Sequence, residues 1–195
     1  MARSNRYAPA GQPYHVVNRG NDRRRLFEDA ADYRSFTRLL RAGLGRCDVE
    51  IHAHCLMPNH FHLVIEPWED GALSAYMQWL TGCYACYLRE RTGTVGHGHV
   101  FQHRFWSTSI SDDVHLVTVI RYVEANPVRA GLVSQAELWP WSSLRARLRG
   151  GLTTSRSSVL PGEWRDLVNL VQRPPVLRRI RGEISPRRGR PPARS

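Results

Sequence analysis

The chain has 195 residues, enough for one domain with a buried core and a short appendage. Its hydrophobic fraction of 42% is ordinary, but a formal net charge of +11 and a pI near 10.5 are not. That balance points to a polyanionic partner, nucleic acid or an acidic membrane surface. No apolar run approaches the roughly 20 residues of a membrane span, and the leading "MARSNRYAPAGQPYHV" lacks an apolar signal core. A cytoplasmic protein is expected, with Cys47, Cys55, Cys83 and Cys86 reduced. All 28 basic residues are arginine. Guanidinium forks suit phosphate, although a GC-rich coding bias also removes lysine.

In chain order, "PYHVVNRG" (13–20) reads as a strand closing on Gly20. Residues 29–46 read as a helix capped by Asp29, with Phe36, Leu39, Leu40 and Leu44 at helical spacing. "VEIHAHCLM" (49–57) and "HFHLVIE" (60–66) read as a hairpin turning at Pro58-Asn59. Residues 72–91 form a long amphipathic helix, and "TGTVGHGH" a glycine-rich loop. "VFQHRFWSTSI" (100–110) returns to strand. Residues 111–127 open on a Ser-Asp-Asp cap and run as a helix to Pro127. The order βαββαβα is the split βαβ pattern of a ferredoxin-like α+β sandwich, an antiparallel sheet with helices expected on one face. Residues 173–195 carry eight arginines against one glutamate amid prolines, so little fixed structure is expected there.

Alternation along the second hairpin strand puts His60, His62 and Val64 on one face, with Phe61, Leu63 and Ile65 on the other. Imidazoles rooted about 7 Å apart on one side can both reach one divalent ion. Two ligands leave the site incomplete, and a solvent-facing strand also produces a bare H-x-H. His52 and His54 repeat the pattern on the partner strand, and the hairpin register decides their face. Cys83-x-x-Cys86 with His97 and His99 hints at zinc. Mid-helix cysteines and a one-residue histidine gap argue against it, so Cys83 and Cys86 read as small packing residues.

In "RYVEANPVRAGLV" (121–133), Tyr122 and Asn126 stand four apart on one helical face. The Asn126 carbonyl oxygen is a candidate third ligand, and the Tyr122 hydroxyl a candidate nucleophile. Oxygen with imidazole suits Mg²⁺ or Mn²⁺. Amphipathic filler and a helix-ending asparagine would explain the same two residues.

"LMPNHFHLVIE", "GHVFQHRFWS" and "YVEANPVRAGLV", in this order, resemble the REP-associated tyrosine transposases, in the one-tyrosine branch of the HUH endonuclease superfamily. The similarity runs from about Tyr14 to about Ser143, with "YHVVNRGNDRRRLFEDAADYRSF" and "WPWSS" also fitting. The resemblance implies an HUH endonuclease fold and a divalent metal, Mg²⁺ or Mn²⁺, held by His60, His62 and Asn126. It implies Tyr122 as nucleophile and His60 and His62 as catalytic through the metal. The implied substrate is single-stranded DNA beside hairpins of repetitive extragenic palindromes. Attack would leave a 5′-phosphotyrosine and a free 3′-OH, conserving bond energy for strand transfer without ATP. Position 54, often aromatic in the family, is His54 here.

Residues 1–145 are expected to be the catalytic domain and 146–195 an Arg/Pro-rich DNA-binding extension. Within it "RRGRPP" resembles an AT-hook core, so Arg187, Arg188, Gly189, Arg190 and Pro191 are expected to enter an A·T minor groove. A solvated basic tail attracting phosphates is the plainer reading. Arg104 and Arg129, inside the motifs, are read as further DNA contacts, and nucleoid association follows. A monomer is favoured over a homodimer. The competing functions are a non-catalytic nucleic-acid-binding module, which lacks its stacking aromatics here, and a metal phosphodiesterase using water, which would form no covalent adduct.

Overall fold

The computed structural model describes residues 8–96, 98–150, 155–170 and 180. Four strands, β1 (Tyr14–Arg19), β2 (Val49–Met57), β3 (His60–Pro67) and β4 (Trp106–Ser109), form one antiparallel sheet in the order β2-β3-β1-β4. β1 and β3 are separated by a helix and a strand in sequence yet lie side by side, as the split βαβ pattern requires. Helices α1 (Ala30–Leu44) and α2 (Ala72–Thr92) follow β1 and β3. Asp29 caps α1 by accepting the Ala31 and Asp32 amides, and Arg91 near the end of α2 grips both Asp29 and Asp32. That ion pair ties the two helices together where Asp32 is fully buried.

The alternation of β3 sorts its side chains between two cores. Phe61, Leu63 and Ile65 meet Phe36, Leu40, Tyr76, Met77 and Leu80 of α1 and α2. Val64 faces α3 (Asp113–Glu124), with Leu116, Val119, Ile120 and Val123. The sheet is therefore covered on both faces, not on one as the element order suggests. A period of 3.6 shows that a helix has an apolar side, but not which face of the sheet it meets.

Three further expectations need correction. The strand expected over 100–110 pairs as strand only from Trp106 to Ser109, with one isolated bridge from Phe101 to Gly20. The exposed run Gln102-His103-Arg104 interrupts it. The helix expected to reach Pro127 ends at Glu124, and Pro127 opens a second turn, α4 (Asn126–Arg129), where its missing N–H costs nothing. Cys86 is exposed and Cys83 half-buried, so neither is a core residue.

β2 would be an open edge, but residues 139–143 cover it. Leu56 N–H donates to the Trp141 carbonyl and Trp139 Nε1 to the Leu56 carbonyl, each at 2.9 Å. The boundary expected at 145/146 falls inside α5 (Ser143–Leu148). Beyond it, α6 (Trp164–Asn169) lies on the α3 face. Fully buried Glu124 accepts from Ser143 Oγ (2.6 Å), Arg147 (3.2 Å) and Trp164 Nε1 (2.6 Å). Among the described residues no helix is long and apolar enough to cross a membrane.

Candidate active site

The tight Pro58-Asn59 turn starts β3 at His60. The turn is braced from outside: Leu26 and Phe27 amides donate to the Pro58 carbonyl, and the Gly20 amide to that of Asn59. His60 and His62 then project towards α3, their ring centroids 5.0 Å apart and nearly perpendicular. His60 Nδ1 bonds Asn59 Oδ1 at 2.7 Å, and His62 Nδ1 meets His15 Nε2 at 3.1 Å. With both Nδ1 atoms engaged, each ring has Nε2 to offer.

His15 belongs to the site and was not singled out in the sequence. It sits on β1 opposite Val64, which puts it on the His62 face, and it stacks on His62 at 5.2 Å. The signal was there: split βαβ topology seats β1 beside β3, and pairing "PYHVV" against "HFHLV" brings the imidazoles together.

α3 delivers Tyr122. Its ring meets His15 and His62 edge-to-face, each at 5.8 Å between centroids. Asn126, one turn later, is buried; its Nδ2 donates to the Tyr122 and Val123 carbonyls. Its Oδ1 accepts from Arg129 Nη2 at 2.8 Å. The same guanidinium lies over the Tyr122 ring, 3.9 Å from its centroid. The structure thus brings His60, His62 and Tyr122 into one cluster, with Asn126 attached through Tyr122 and Arg129.

Burial keeps the imidazoles neutral. It pulls His60 down to about 4, assisted by Arg19, and His15 to about 3. His62 lies well below its ordinary value, mainly through burial and then through its histidine neighbours. A neutral ring with one nitrogen already bonded is the state a metal ligand needs.

The three tyrosines of α2 are otherwise occupied. Tyr76 and Tyr84 hydroxyls donate to the Leu40 and Leu26 carbonyls, and Tyr87 donates to Asp32. Burial pushes the Tyr76 and Tyr84 phenols up, away from ionisation.

The second H-x-H separates. A β-bulge between Ile51 and Ala53 switches which residues face which core, so Ile51 joins the α1–α2 side and Ala53 the α3 side. His54 leaves the His60–His62 face and reaches the α1–α5 side, where burial lowers it to about 4. His52 bonds Glu66 at 2.7 Å, and with Glu50 the three present ligand atoms within 4.8 Å of one another. This is a possible metal-binding His/Glu cluster, but Arg156 already holds both Glu66 oxygens at 2.8 Å.

Arg104 is exposed beside the cavity between α2 and residues 98–106. His99 is exposed too, while His97 and Arg187, Arg188, Gly189, Arg190 and Pro191 lie outside the described residues.

Comparison with known proteins follows the same geometry. The sequence profile of the family described as "Transposase IS200 like" matches residues 10–126, which carry β1 through α3 and end on Asn126. A putative REP-associated tyrosine transposase of Haemophilus influenzae is 25% identical over 123 residues, 59% of this chain and 66% of that one. The REP-associated tyrosine transposase of Escherichia coli is 24% identical over 148 residues, 75% of this chain and 84% of that one. The match thus spans just under two thirds of the Haemophilus protein. A solved REP-associated tyrosine transposase bound to a REP hairpin superposes with a TM-score of 0.62 at 23% identity, covering 84% of this chain and 93% of that one, and shows the shared fold. A profile that covers well over half of the chain settles its kinship: this protein belongs to the IS200-like transposase family.

Proposed function

We propose that the chain is a metal-dependent single-stranded DNA endonuclease and strand transferase that nicks beside palindromic hairpin repeats, with Tyr122 as nucleophile. One observation carries the reading: the Tyr122 ring packs against His62, 5.0 Å from which stands His60. A phenol beside two neutral imidazoles is a nucleophile beside a pair of metal donors. The relatives named for REP elements, and the related protein bound to a REP hairpin, support that DNA class as substrate. A cytoplasmic, nucleoid-associated monomer fits it.

The family's chemistry implies a divalent metal, and His60 and His62 fit one through Nε2. Mg²⁺ or Mn²⁺ with Asn126 Oδ1 as third ligand is the assignment we favour over the Glu50–His52–Glu66 cluster, whose carboxylate Arg156 neutralises. Arg129 would have to release Asn126 Oδ1 first. Such an ion, when bound, withdraws charge from a non-bridging phosphate oxygen.

The chain's own residues do the rest. Tyr122 Oη loses its proton and bonds to phosphorus. The bond from phosphorus to the 3′ oxygen breaks, and that oxygen leaves as a 3′-OH. The 5′-phosphotyrosine retains the bond energy, so a second 3′-OH can reverse the step and join strands. Arg129, over the ring, is placed to meet a phosphate approaching the hydroxyl. With His62 holding the ion through Nε2, its Nδ1–H would donate to His15 Nε2, 3.1 Å away, so that His15 holds the ring in place.

The test is incubation with single-stranded hairpin DNA and Mg²⁺ or Mn²⁺, then a denaturing gel. A covalent protein–DNA band is expected. Cleavage without such a band would favour hydrolysis by water, and binding without cleavage a mere binding module.

A further inference from the structure

The stretch "WPWSS" (139–143) resembles the family's pattern, yet it carries no metal donor or tyrosine and lies beyond residues 10–126. Its last residue leads to the helix that bears Tyr122. Ser143 Oγ accepts from the His54 amide at 3.0 Å and donates to Glu124 Oε1 at 2.6 Å. Arg147, one turn further along α5, donates from Nε and Nη2 to the same oxygen, each at 3.2 Å. Its Nη2 also donates to the carbonyl of His52, the bulge residue without a partner on β3. Trp164 Nε1 of α6 donates to Glu124 Oε2 at 2.6 Å. Four hydrogen bonds from three side chains thus converge on one carboxylate.

Stability alone does not call for Glu124. The side chain is fully buried, and it stands on the last turn of α3, where the helix dipole disfavours negative charge. A buried ion pair is often matched or bettered by well-packed apolar side chains. Direction is another matter. The hydrophobic effect that seats Leu116, Val119, Ile120 and Val123 is non-directional. It presses α3 onto the sheet more firmly than it sets rotation about the helix axis. Two further polar ties of α3 to later residues are Asp113 with Arg156 and Arg121 with the Leu170 carbonyl. Both are exposed, so water competes for them.

Rotation is what the nucleophile feels. Tyr122 and Glu124 are two residues apart, so they leave α3 about 200° apart around its axis. The tyrosine meets His15 and His62, and the carboxylate meets Ser143, Arg147 and Trp164. A turn of about 10° moves an atom at the rim of a helix, about 5–6 Å from the axis, by about 1 Å. A misplacement of about 1 Å can lower a rate on the order of 100-fold. Asn126 Nδ2 bonds the Tyr122 carbonyl, so the amide moves with the ring.

We infer that Glu124 is a positioning residue for Tyr122. Ser143, Arg147 and Trp164 form a socket for its carboxylate, and the socket, bonded to the β2 backbone, sets the rotation of α3 against the histidines. This rests on Tyr122 as nucleophile. None of the four is a catalytic residue.

The test uses the full chain. Ser143→Ala and Trp164→Phe each remove one donor and keep an apolar group in place, and Glu124→Gln keeps the shape but not the charge. Asp32→Asn is the control, an equally buried carboxylate gripped by Arg91 on the α1–α2 side. Two readouts are taken at a temperature where circular dichroism shows every variant folded. The first is the single-turnover rate of adduct formation with Mn²⁺ and a saturating hairpin oligonucleotide that has unpaired flanks. The second is the fluorine NMR line of Tyr122 in DNA-free protein labelled with fluorotyrosine, identified by its absence in Tyr122→Phe. The socket variants should lose about 10- to 100-fold in rate and shift or broaden the Tyr122 line, with DNA affinity kept. Asp32→Asn should lower the urea midpoint and leave rate and line unchanged. Should Glu124→Gln not fold, the two donor variants decide. Rates within about threefold of wild type in both donor variants overturn the proposal, as does a rate loss without any change in the Tyr122 line. An equal rate loss in Asp32→Asn would make the effect one of stability and overturn it too. If the wild type forms no adduct, the Tyr122 reading falls and the fluorine line alone decides whether the socket sets the helix.

Discussion

Arg129 and Tyr122 are held as a unit: the guanidinium carbon stands 3.9 Å above the ring centroid, and Nη1 donates to the Tyr122 carbonyl at 3.1 Å. Through Nη2 the same side chain occupies Asn126 Oδ1, the oxygen proposed to meet the metal. Arg129→Ala should lower stability by about 2 kcal/mol, from one cation–π contact and charged hydrogen bonds. It should also raise Mn²⁺ affinity severalfold by freeing the amide oxygen, read by calorimetry. Unchanged metal affinity would remove Asn126 from the ligand set.

His15 acts through His62. His15→Phe keeps an aromatic ring against His62 but cannot accept its Nδ1–H, 3.1 Å away in the native pair. Loss of such an outer partner typically costs 10- to 100-fold in metal affinity. A drop of about tenfold in Mn²⁺ affinity is expected, with DNA affinity in metal-free buffer preserved. If both fall together, the substitution has damaged the fold instead.

His60→Ala should abolish cleavage and leave most hairpin affinity, because arginine–phosphate contacts dominate binding. Filter binding and a nicking assay on the same preparation separate the two. Parallel loss of binding and cleavage would make His60 a DNA contact and not a metal donor.

Acid should destabilise the metal-free protein before its carboxylates titrate. His15 and His62 are buried with pKa values held far below the usual 6.5, whereas the unfolded chain binds protons there normally. Unfolding therefore takes up protons, so the stability these groups contribute is full above pH 6.5 and is lost progressively as pH falls towards the folded value of His15, about 3. Between pH 7 and 5 the pair should cost a few kcal/mol, at about 1.4 kcal/mol per pH unit for each group. Urea midpoints at the two pH values check this, and equal or higher stability at pH 5 would contradict it.

Much of the architecture was legible because local chemistry and global pattern agree. Asp29 and Asp112 announce their helices and do cap them. The strict alternation over 60–66 follows from a strand buried on both faces, with histidines falling where α3 and not solvent covers it. What stayed hidden is long-range. The bulge at His52 adds one residue without disturbing composition, yet it sends His54 to the opposite face from His60 and His62. His15 became visible only through the β1–β3 register. Residues 155–170 fall, in sequence, with the rest of 146–195 into an extension, because their attachment is long-range: polar bonds to Glu50, Glu66 and Glu124, and Trp164 and Val168 packed into the α3-side core.

The most direct measurement of the central claim is the address of the covalent bond. Wild-type protein is incubated with hairpin DNA and Mn²⁺, the DNA is trimmed by nuclease, and the digested adduct is mapped by mass spectrometry. The nucleotide should sit on the peptide containing Tyr122, and Tyr122→Phe, which keeps the ring and stays folded, should yield no adduct. A nucleotide on Tyr14, Tyr33, Tyr76, Tyr84 or Tyr87, or cleavage with no adduct at all, would contradict the account at its centre.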